Sequence, residues 1–132
     1  MKKILSVALA AVMLLSVCVT GVSSADKKLP FTDTPEGEWY YDAVKYVYEN
    51  GLMNGTGDGT KFSPSMNLTR GMVVTVLYRD NGSPKANFNG TFLDVKEGQY
   101  YAAAAEWAYS KGIVNGTGTN DWGEPYFSPD RD

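Results

Sequence analysis

A segment of the chain returns at a constant spacing of 61 residues, and this repeat constrains the fold more than any other feature of the sequence. Between positions 31 and 57, 12 of 27 residues have an identical partner 61 positions later, with no gap. Their first copies are Phe31, Asp33, Glu36, Gly37, Tyr40, Ala43, Tyr48, Gly51, Asn54, Gly55, Thr56 and Gly57. A repeated unit of this kind buries its apolar face against neighbouring units. An array of modules is therefore expected, rather than one catalytic domain.

The first residues have the features of an export signal. Lys2 and Lys3 precede an almost wholly apolar run over residues 4–19, and Ser23 and Ala25 supply the small residues that a signal peptidase reads. We expect residues 1–25 to be a cleaved signal peptide. The apolar run is short for a spanning helix and has no basic flank after it, so a retained membrane anchor is the less favoured alternative.

The predicted mature chain offers little catalytic chemistry. Cys18, the only cysteine, lies in the leader, and the sequence has no histidine. Disulfides, thiol nucleophiles, imidazole bases and the usual zinc ligands are thus excluded, and we expect no cofactor, no metal site and no enzyme activity. A glycosidase needs only two carboxylates, but the candidate acids lie in predicted turns.

The charge balance restricts the partners. Without Lys2 and Lys3, 10 basic residues stand against 15 acidic ones, a net charge of about −5. This balance disfavours nucleic acid and an anionic membrane.

Residues 26–30 are predicted to form a linker and residues 31–82 to form module 1. A helix is expected from about residue 40 to residue 50, because Val44, Val47 and Tyr48 share one face. The following Gly51 suits the left-handed position that ends a helix.

A glycine-rich loop over residues 54–59 follows the first helix. The second helix is expected to begin at Thr69, a good N-cap residue, and to stop at Asn81. Its residues 73–76 are β-branched and would also suit a strand.

Residues 83–91 are predicted to link module 1 to module 2, which covers residues 92–132. Module 2 repeats the plan with a helix from about residue 101 to residue 111. Its loop is four residues longer, and Trp122 lies in the insertion. No counterpart of Thr69 follows within the sequence, so module 2 is expected to lack a second helix and to have an incomplete core unless another chain or missing sequence supplies it.

The ordered motifs resemble the S-layer homology module of bacterial surface proteins. Phe-x-Asp is followed by aromatic residues, then Gly-hydrophobic-hydrophobic-x-Gly, Phe-x-Pro and hydrophobic-Thr-Arg. The resemblance is complete over residues 31–82 and partial over residues 92–132. It implies an all-α fold of tandem helix-loop-helix modules, one complete and one truncated, normally part of a pseudo-threefold bundle with ligand grooves between modules.

The same resemblance implies a function and a location. Modules of this kind attach proteins non-covalently to the cell wall by binding secondary cell-wall polysaccharide, commonly anionic and pyruvylated, or a peptidoglycan-linked glycan. The protein is then expected to be secreted and held at the cell surface, with no membrane insertion after cleavage. The alternative is a structural module that assembles with other S-layer homology modules without binding glycan.

The best-marked family element is Thr-Arg-Ala-Glu, which appears here as Thr69-Arg70-Gly71-Met72. Met72 cannot close the capping box that a glutamate would form with Thr69. Arg70 is the candidate ligand residue, because its planar fork suits a carboxylate, although a solvated arginine or an inter-module salt bridge remains open. Only module 1 is followed by this element, so only module 1 is expected to carry the full site.

The resemblance also implies ligand-binding roles outside this element. Asp33 and Asp94 would accept hydrogen bonds from sugar hydroxyls, with local capping as an equal alternative. Trp39 and Tyr100 would lie against a sugar face. The loop glycines Gly55 and Gly57 would present backbone amides to the ligand, or would simply form a tight turn. Trp107, in contrast, is expected in the core.

Overall fold

The computed structural model describes residues 28–132, most of which are arranged around three helices and their loops. The helices are α1 (Tyr41–Glu49), α2 (Arg70–Asp80) and α3 (Ala102–Ser110). The short strands β1 (Gly118–Thr119) and β2 (Pro125–Tyr126) form an antiparallel hairpin.

The predicted signal peptide, Cys18 and the start of the first linker lie outside the described residues. Across residues 28–132, none of the helices has the length and apolar character that crossing a membrane requires.

The three helices end in the same way, as their glycines predict. Gly51, Gly82 and Gly112 have φ values of 68°, 78° and 68°. The residue after each glycine donates its amide back to the helix, as Leu52 does to the Val47 carbonyl at 2.8 Å. This geometry satisfies carbonyls at the helix end that would otherwise lack partners.

The starts of the helices differ. Thr69 caps α2 with its hydroxyl, which accepts a hydrogen bond from the Met72 amide at 3.4 Å. Neither α1 nor α3 has a side-chain cap. The β-branched segment over residues 73–76 is helical because packing decides its conformation: Val74 and Thr75 are buried, and the Thr75 hydroxyl donates to the Gly71 carbonyl.

The larger core lies between α2 and α3, across the module boundary. Val74 is 1% exposed, and the Tyr78 ring lies 5.5 Å from the Trp107 ring. The buried residues of this core are Val74, Phe92, Val95, Tyr101, Ala102, Ala104, Ala105, Trp107, Ala108 and Phe127. The second helix of module 1 thus packs on the first helix of module 2. Trp107 lies in the core, as predicted.

The expectation of an incomplete core in module 2 is therefore wrong, because α2 supplies the missing face. The smaller core belongs to module 1, where Leu29, Phe31 and Val44 are buried beside α1. Ala43 of α1 is exposed, whereas its repeat partner Ala104 of α3 is 1% exposed. Within the described residues, α1 of module 1 packs against neither of the other two helices.

The glycine-rich loops of the two modules are closely similar. In module 1 the loop closes with a single bridge between Thr56 and Lys61, whereas in module 2 the insertion extends the pairing into the β1–β2 hairpin. Trp122 lies in the insertion and is 84% exposed. The loop of module 1 has no regular strand, as predicted, while the loop of module 2 differs by this short hairpin.

Candidate functional site

Asp33 and Asp94 fasten the glycine-rich loops to the starts of their modules. The two carboxylate oxygens of Asp33 accept the amides of Phe62 and Ser63, each at 2.8 Å. Asp94 accepts the amides of Phe127 and Ser128 in the same way, each at 2.7 Å. A repeated bidentate contact of this kind favours the local structural role over the binding of sugar hydroxyls.

These hydrogen bonds change the acidity of Asp33. The amide of Phe62 is the main cause that lowers the pKa of the Asp33 carboxyl below its ordinary value, although partial desolvation opposes the shift. Asp33 therefore holds the loop most strongly in its ionised form.

The two loop glycines have different structural roles. A Cβ on Gly55 would lie 2.6 Å from both the Lys61 carbonyl oxygen and the Phe31 ring, so this position needs glycine for close packing. Gly57 has a φ of 58° and nothing within 4 Å of a Cβ, and it is exposed at the loop surface. Of the two, Gly57 leaves more room for a ligand beside its backbone.

Arg70 joins module 1 to the loop of module 2. Its Nε donates to the Phe127 carbonyl at 2.9 Å, and its Nη2 donates to the Asn115 carbonyl at 2.6 Å. The guanidinium carbon lies 5.0 Å from the centre of the Phe127 ring. None of these partners is acidic, so the positive charge of Arg70 is not paired with a carboxylate there.

The backbone at the start of α2 docks on the same loop. The Arg70 amide donates to the Arg131 carbonyl at 2.7 Å, and the Gly71 amide donates to the Pro129 carbonyl at 2.8 Å. Gly71 also allows close approach, because a Cβ there would lie 3.1 Å from the Tyr101 ring. These bonds satisfy N-terminal amides that an α-helix leaves unpaired.

The Arg70 side chain bonds to module 2, although the sequence predicts the full site at module 1. Thr69 and Arg70 follow the module 1 loop in sequence, yet Arg70 lies on the module 2 loop in the structure. The region around Arg70 is therefore built from two modules: the first turn of α2 and the loop of module 2. Sequence spacing could not reveal this arrangement, because Arg70 and Asn115 are 45 positions apart.

Trp39 and Tyr100 are exposed rings that occupy equivalent places in the two modules. Trp39 is 88% exposed and contacts Tyr40 edge-on, while Tyr100 is 60% exposed and contacts Tyr101 edge-on. The ring centroids are 5.5 Å and 4.9 Å apart in the two pairs. An exposed ring that stands against a more buried ring is a preformed surface for stacking.

A groove of about 430 Å³ brings two of the predicted site residues together. Gly55 lines it from the module 1 loop, and Tyr100 lines it from module 2. Sequence reasoning missed the groove's methionines and Arg79, which donates to the Leu52 carbonyl at 3.0 Å. One sign of an apolar groove was present in the sequence, because Met72 stands where the family motif has a glutamate. The methionines that line the groove are Met53, Met66 and Met72.

The predicted residues therefore do not form one continuous site. Gly55 and Tyr100 share the groove, while Thr69 and Arg70 lie at the junction of α2 with the module 2 loop. The remaining four residues lie outside the groove. Asp33 and Asp94 accept hydrogen bonds from loop amides, and Trp39 and Gly57 are exposed at the surface.

Comparison with known proteins supports an assignment to a family. The S-layer homology domain family matches residues 30–71 and 91–131. The exoglucanase XynX of Acetivibrio thermocellus is 32% identical over 94 residues, which cover 71% of this chain and 8% of that protein. The S-layer protein of Bacillus licheniformis is 30% identical over 124 residues, which cover 92% of this chain and 13% of that protein. No solved structure matches the chain.

These matches concern a small part of each relative. The S-layer protein EA1 of Bacillus anthracis is 28% identical over 124 residues, which cover 92% of this chain and 14% of that protein. The match to XynX covers only 8% of that enzyme, so it gives no evidence about catalytic activity in this chain. Together the matches support attachment to the cell wall, and they locate the protein at the bacterial cell surface. The two family matches cover more than half of the sequence, and the chain belongs to the S-layer homology domain family.

Proposed function

We propose that the protein attaches to the cell wall by binding a secondary cell-wall polysaccharide without catalysing a reaction. The ligand would be an anionic, pyruvylated polymer, and a peptidoglycan-linked glycan is the alternative ligand. Membership of the S-layer homology domain family is the observation that carries this proposal. The geometry of the two modules supports the choice of the residues that we propose as contacts for the polymer.

Arg70 is the proposed contact for a ligand carboxylate. Within residues 28–132, its Nη1 makes no hydrogen bond, and its other nitrogens are held in place by backbone carbonyls. A fixed guanidinium with an unused edge is preorganised for a charge-assisted hydrogen bond. The chain carries a net negative charge of −3, so attraction to an anionic polymer must come from local positive groups such as this one.

Trp39 and Tyr100 are the proposed stacking surfaces for sugar rings. Both are largely exposed, and each occupies the same place in its module, so a repeating polymer could meet equivalent rings. Tyr100 also borders the groove that contains Gly55. The loop amide of Gly57 would add a polar contact at the surface.

Titration of the purified polysaccharide against ring variants would test this proposal. Trp39→Ala and Tyr100→Ala should each weaken binding by up to about tenfold, because stacked rings contribute about 0.5 to 1.5 kcal/mol beyond buried area. Trp122→Ala is the matched control, since Trp122 is 84% exposed in the insertion and has no repeat counterpart. Equal losses in all three variants, or no loss in either test variant, would contradict the proposed surfaces.

A second function is favoured by the packing of α2 on α3. Because one module completes the core of the other within this chain, modules of this family have the chemistry to assemble with each other. The protein would then act as a structural module that joins other S-layer homology modules. This function requires a surface that accepts another module.

A further inference from the structure

The sequence contains five asparagines that are each followed by a glycine: Asn50, Asn54, Asn81, Asn89 and Asn115. An Asn-Gly step is prone to spontaneous deamidation, because glycine has no side chain to shield its backbone nitrogen. That nitrogen must reach the side-chain carbon of the asparagine, so the backbone around the step has to rotate. The fold therefore determines which of these steps can react.

Two of the Asn-Gly steps close helices, where hydrogen bonds hold both of the groups that would react. The side chain of Asn81 donates to the Leu77 carbonyl, and the amide of Gly82 donates to the Arg79 carbonyl, each at 2.9 Å. Asn50, at the end of α1, is held in the same way. These bonds must open before the glycine nitrogen can attack, so local unfolding has to precede the reaction.

Two further Asn-Gly steps lie in the glycine-rich loops, where the glycines are crowded. A Cβ on Gly116 would lie 2.8 Å from the Pro125 side chain, and one on Gly55 would meet its neighbours at 2.6 Å. The carbonyl of Asn115 is also held by the Arg70 side chain at 2.6 Å. A cyclic intermediate at either loop step would have to displace its neighbours.

The remaining step, Asn89-Gly90 in the linker between the modules, has none of these restraints. Both residues are exposed, and they lie in a segment without regular secondary structure. Within residues 28–132, neither the side chain of Asn89 nor the amide of Gly90 makes a hydrogen bond, and a Cβ on Gly90 would have nothing within 4 Å. Gly90 and Gly51 share a φ of 68°, so hydrogen bonding distinguishes the two steps and this backbone angle does not.

We propose that Asn89-Gly90 is the fastest of the Asn-Gly steps to deamidate, and that the product weakens the attachment of the linker to α3. The Gly90 nitrogen loses its proton and attacks the Asn89 Cγ, and the Cγ–Nδ2 bond breaks to release ammonia. Water then opens the cyclic imide at either carbonyl and gives aspartate or isoaspartate. The reaction consumes one water and releases one ammonia. This inference does not depend on glycan binding.

Isoaspartate at this step would lengthen the backbone just before an anchoring contact. The amide and the hydroxyl of Thr91 donate to the two carboxylate oxygens of Glu106 at 2.9 and 2.6 Å, and Glu106 is 4% exposed. Phe92, the next residue, is 1% exposed in the larger core. Because isoaspartate adds one carbon to the main chain, it changes the spacing between the linker and these fixed residues.

Peptide mapping by mass spectrometry measures the rate at each step during incubation of the purified protein at mildly alkaline pH. Cleavage after lysine and arginine separates Asn81, in residues 80–85, from Asn89, in residues 86–96. In the folded protein Asn89 should react at least about tenfold faster than Asn81, since two hydrogen bonds must open at Asn81. In urea the two rates should become similar.

Three outcomes of the mapping would overturn the proposal. One is an equal rate at Asn81 and Asn89 in the folded protein. Another is a faster reaction at any other Asn-Gly step. The third is a difference between the two steps that persists undiminished in urea, because sequence and not structure would then be its cause.

Thermal melting of the incubated protein tests the effect on the linker. The melting temperature of the parent should fall by at least about 2 °C as isoaspartate accumulates, whereas Asn89→Gln should keep its value. Asn89→Asp adds the carboxylate without lengthening the backbone and should lose less, since Lys85 and Lys111 line the same cavity as residue 89 and Glu106. An equal fall in Asn89→Gln, or no fall in a parent that carries isoaspartate, would overturn the proposed effect.

Discussion

Asp33 shows how one side chain determines the path of a loop. Its carboxylate accepts two successive amides nearly 30 positions away, and Asp94 makes the same contact in module 2. The repeat predicted that the two aspartates are equivalent. It could not identify their partners, because a hydrogen bond between residues so distant in sequence leaves no local pattern.

Asp33→Asn should destabilise the protein at neutral pH. Asparagine keeps one acceptor oxygen but places an NH₂ group against the second amide, which then loses its partner. The pKa of Asp33 is lowered in the folded state, so ionisation stabilises the fold above the ordinary value of 3.8, and this stabilisation is lost as the pH falls through the lower folded pKa. Urea unfolding at several pH values measures the effect.

The pH series also supplies the control for this aspartate. The difference between the variant and the parent should be largest near pH 7 and should shrink below about pH 4. Asp121→Asn, in the exposed insertion, should match the parent throughout. Identical unfolding curves for Asp33→Asn and the parent at pH 7 would contradict the structural role of Asp33.

Arg70→Lys should weaken the junction between α2 and module 2. Lysine keeps the charge, but it cannot bond both the Asn115 and the Phe127 carbonyl with fixed geometry. We expect a loss of about 1 to 2 kcal/mol in the free energy of unfolding, since hydrogen bonds from charged groups are at the strong end of the usual range. Polysaccharide affinity should fall as well if Arg70 contacts the ligand.

Arg79→Lys is the matched control on the same helix. Arg79 bonds one carbonyl, that of Leu52, which a lysine can still reach. Its unfolding free energy should therefore change less than that of Arg70→Lys. Equal changes in the two variants would show that the contact with two carbonyls has no special importance.

The helices illustrate what sequence patterns can and cannot predict. Gly51 and Gly112 marked the ends of α1 and α3 correctly, because a glycine at a left-handed position has a local cause. The partner of α2 was not predictable in the same way, since its apolar residues show only that one face is buried. Packing on α3 of the other module is a tertiary choice, made by the fit of Gly71 against Tyr101 and of Val74 within the core.

Val74→Ala should destabilise the contact between α2 and α3. Removing two buried methyl groups and leaving a cavity should cost about 2 to 3 kcal/mol in the free energy of unfolding. Val73→Ala changes the neighbouring residue, which is 41% exposed, and should cost less than about 0.5 kcal/mol. Comparable losses for the two variants, measured by thermal or urea unfolding, would contradict the assignment of Val74 to the core.

The molecule as described is uneven in its packing. The half built on α3 has a core of ten buried residues, whereas the half built on α1 has a core of three. The internal repeat predicted two similar modules, and their loops are similar in detail. The sequence left an inter-module contact of Arg70 open, but it could not identify the carbonyls of Asn115 and Phe127 as the partners. A repeat specifies the structure within each unit more directly than the packing between units.

The proposed glycan contacts lie in both modules. Arg70 and the exposed rings of Trp39 and Tyr100 offer contacts for an anionic glycan. In the proposed function, the attachment of the protein to the wall depends on these residues.

Cosedimentation with purified cell walls tests the attachment most directly. The protein should sediment with intact walls and should remain in solution once the polymers other than peptidoglycan have been removed chemically. Added purified polysaccharide should release the bound protein from intact walls. Binding that is unchanged after removal of the polymers would contradict the proposal that the protein attaches to the cell wall through a secondary polysaccharide.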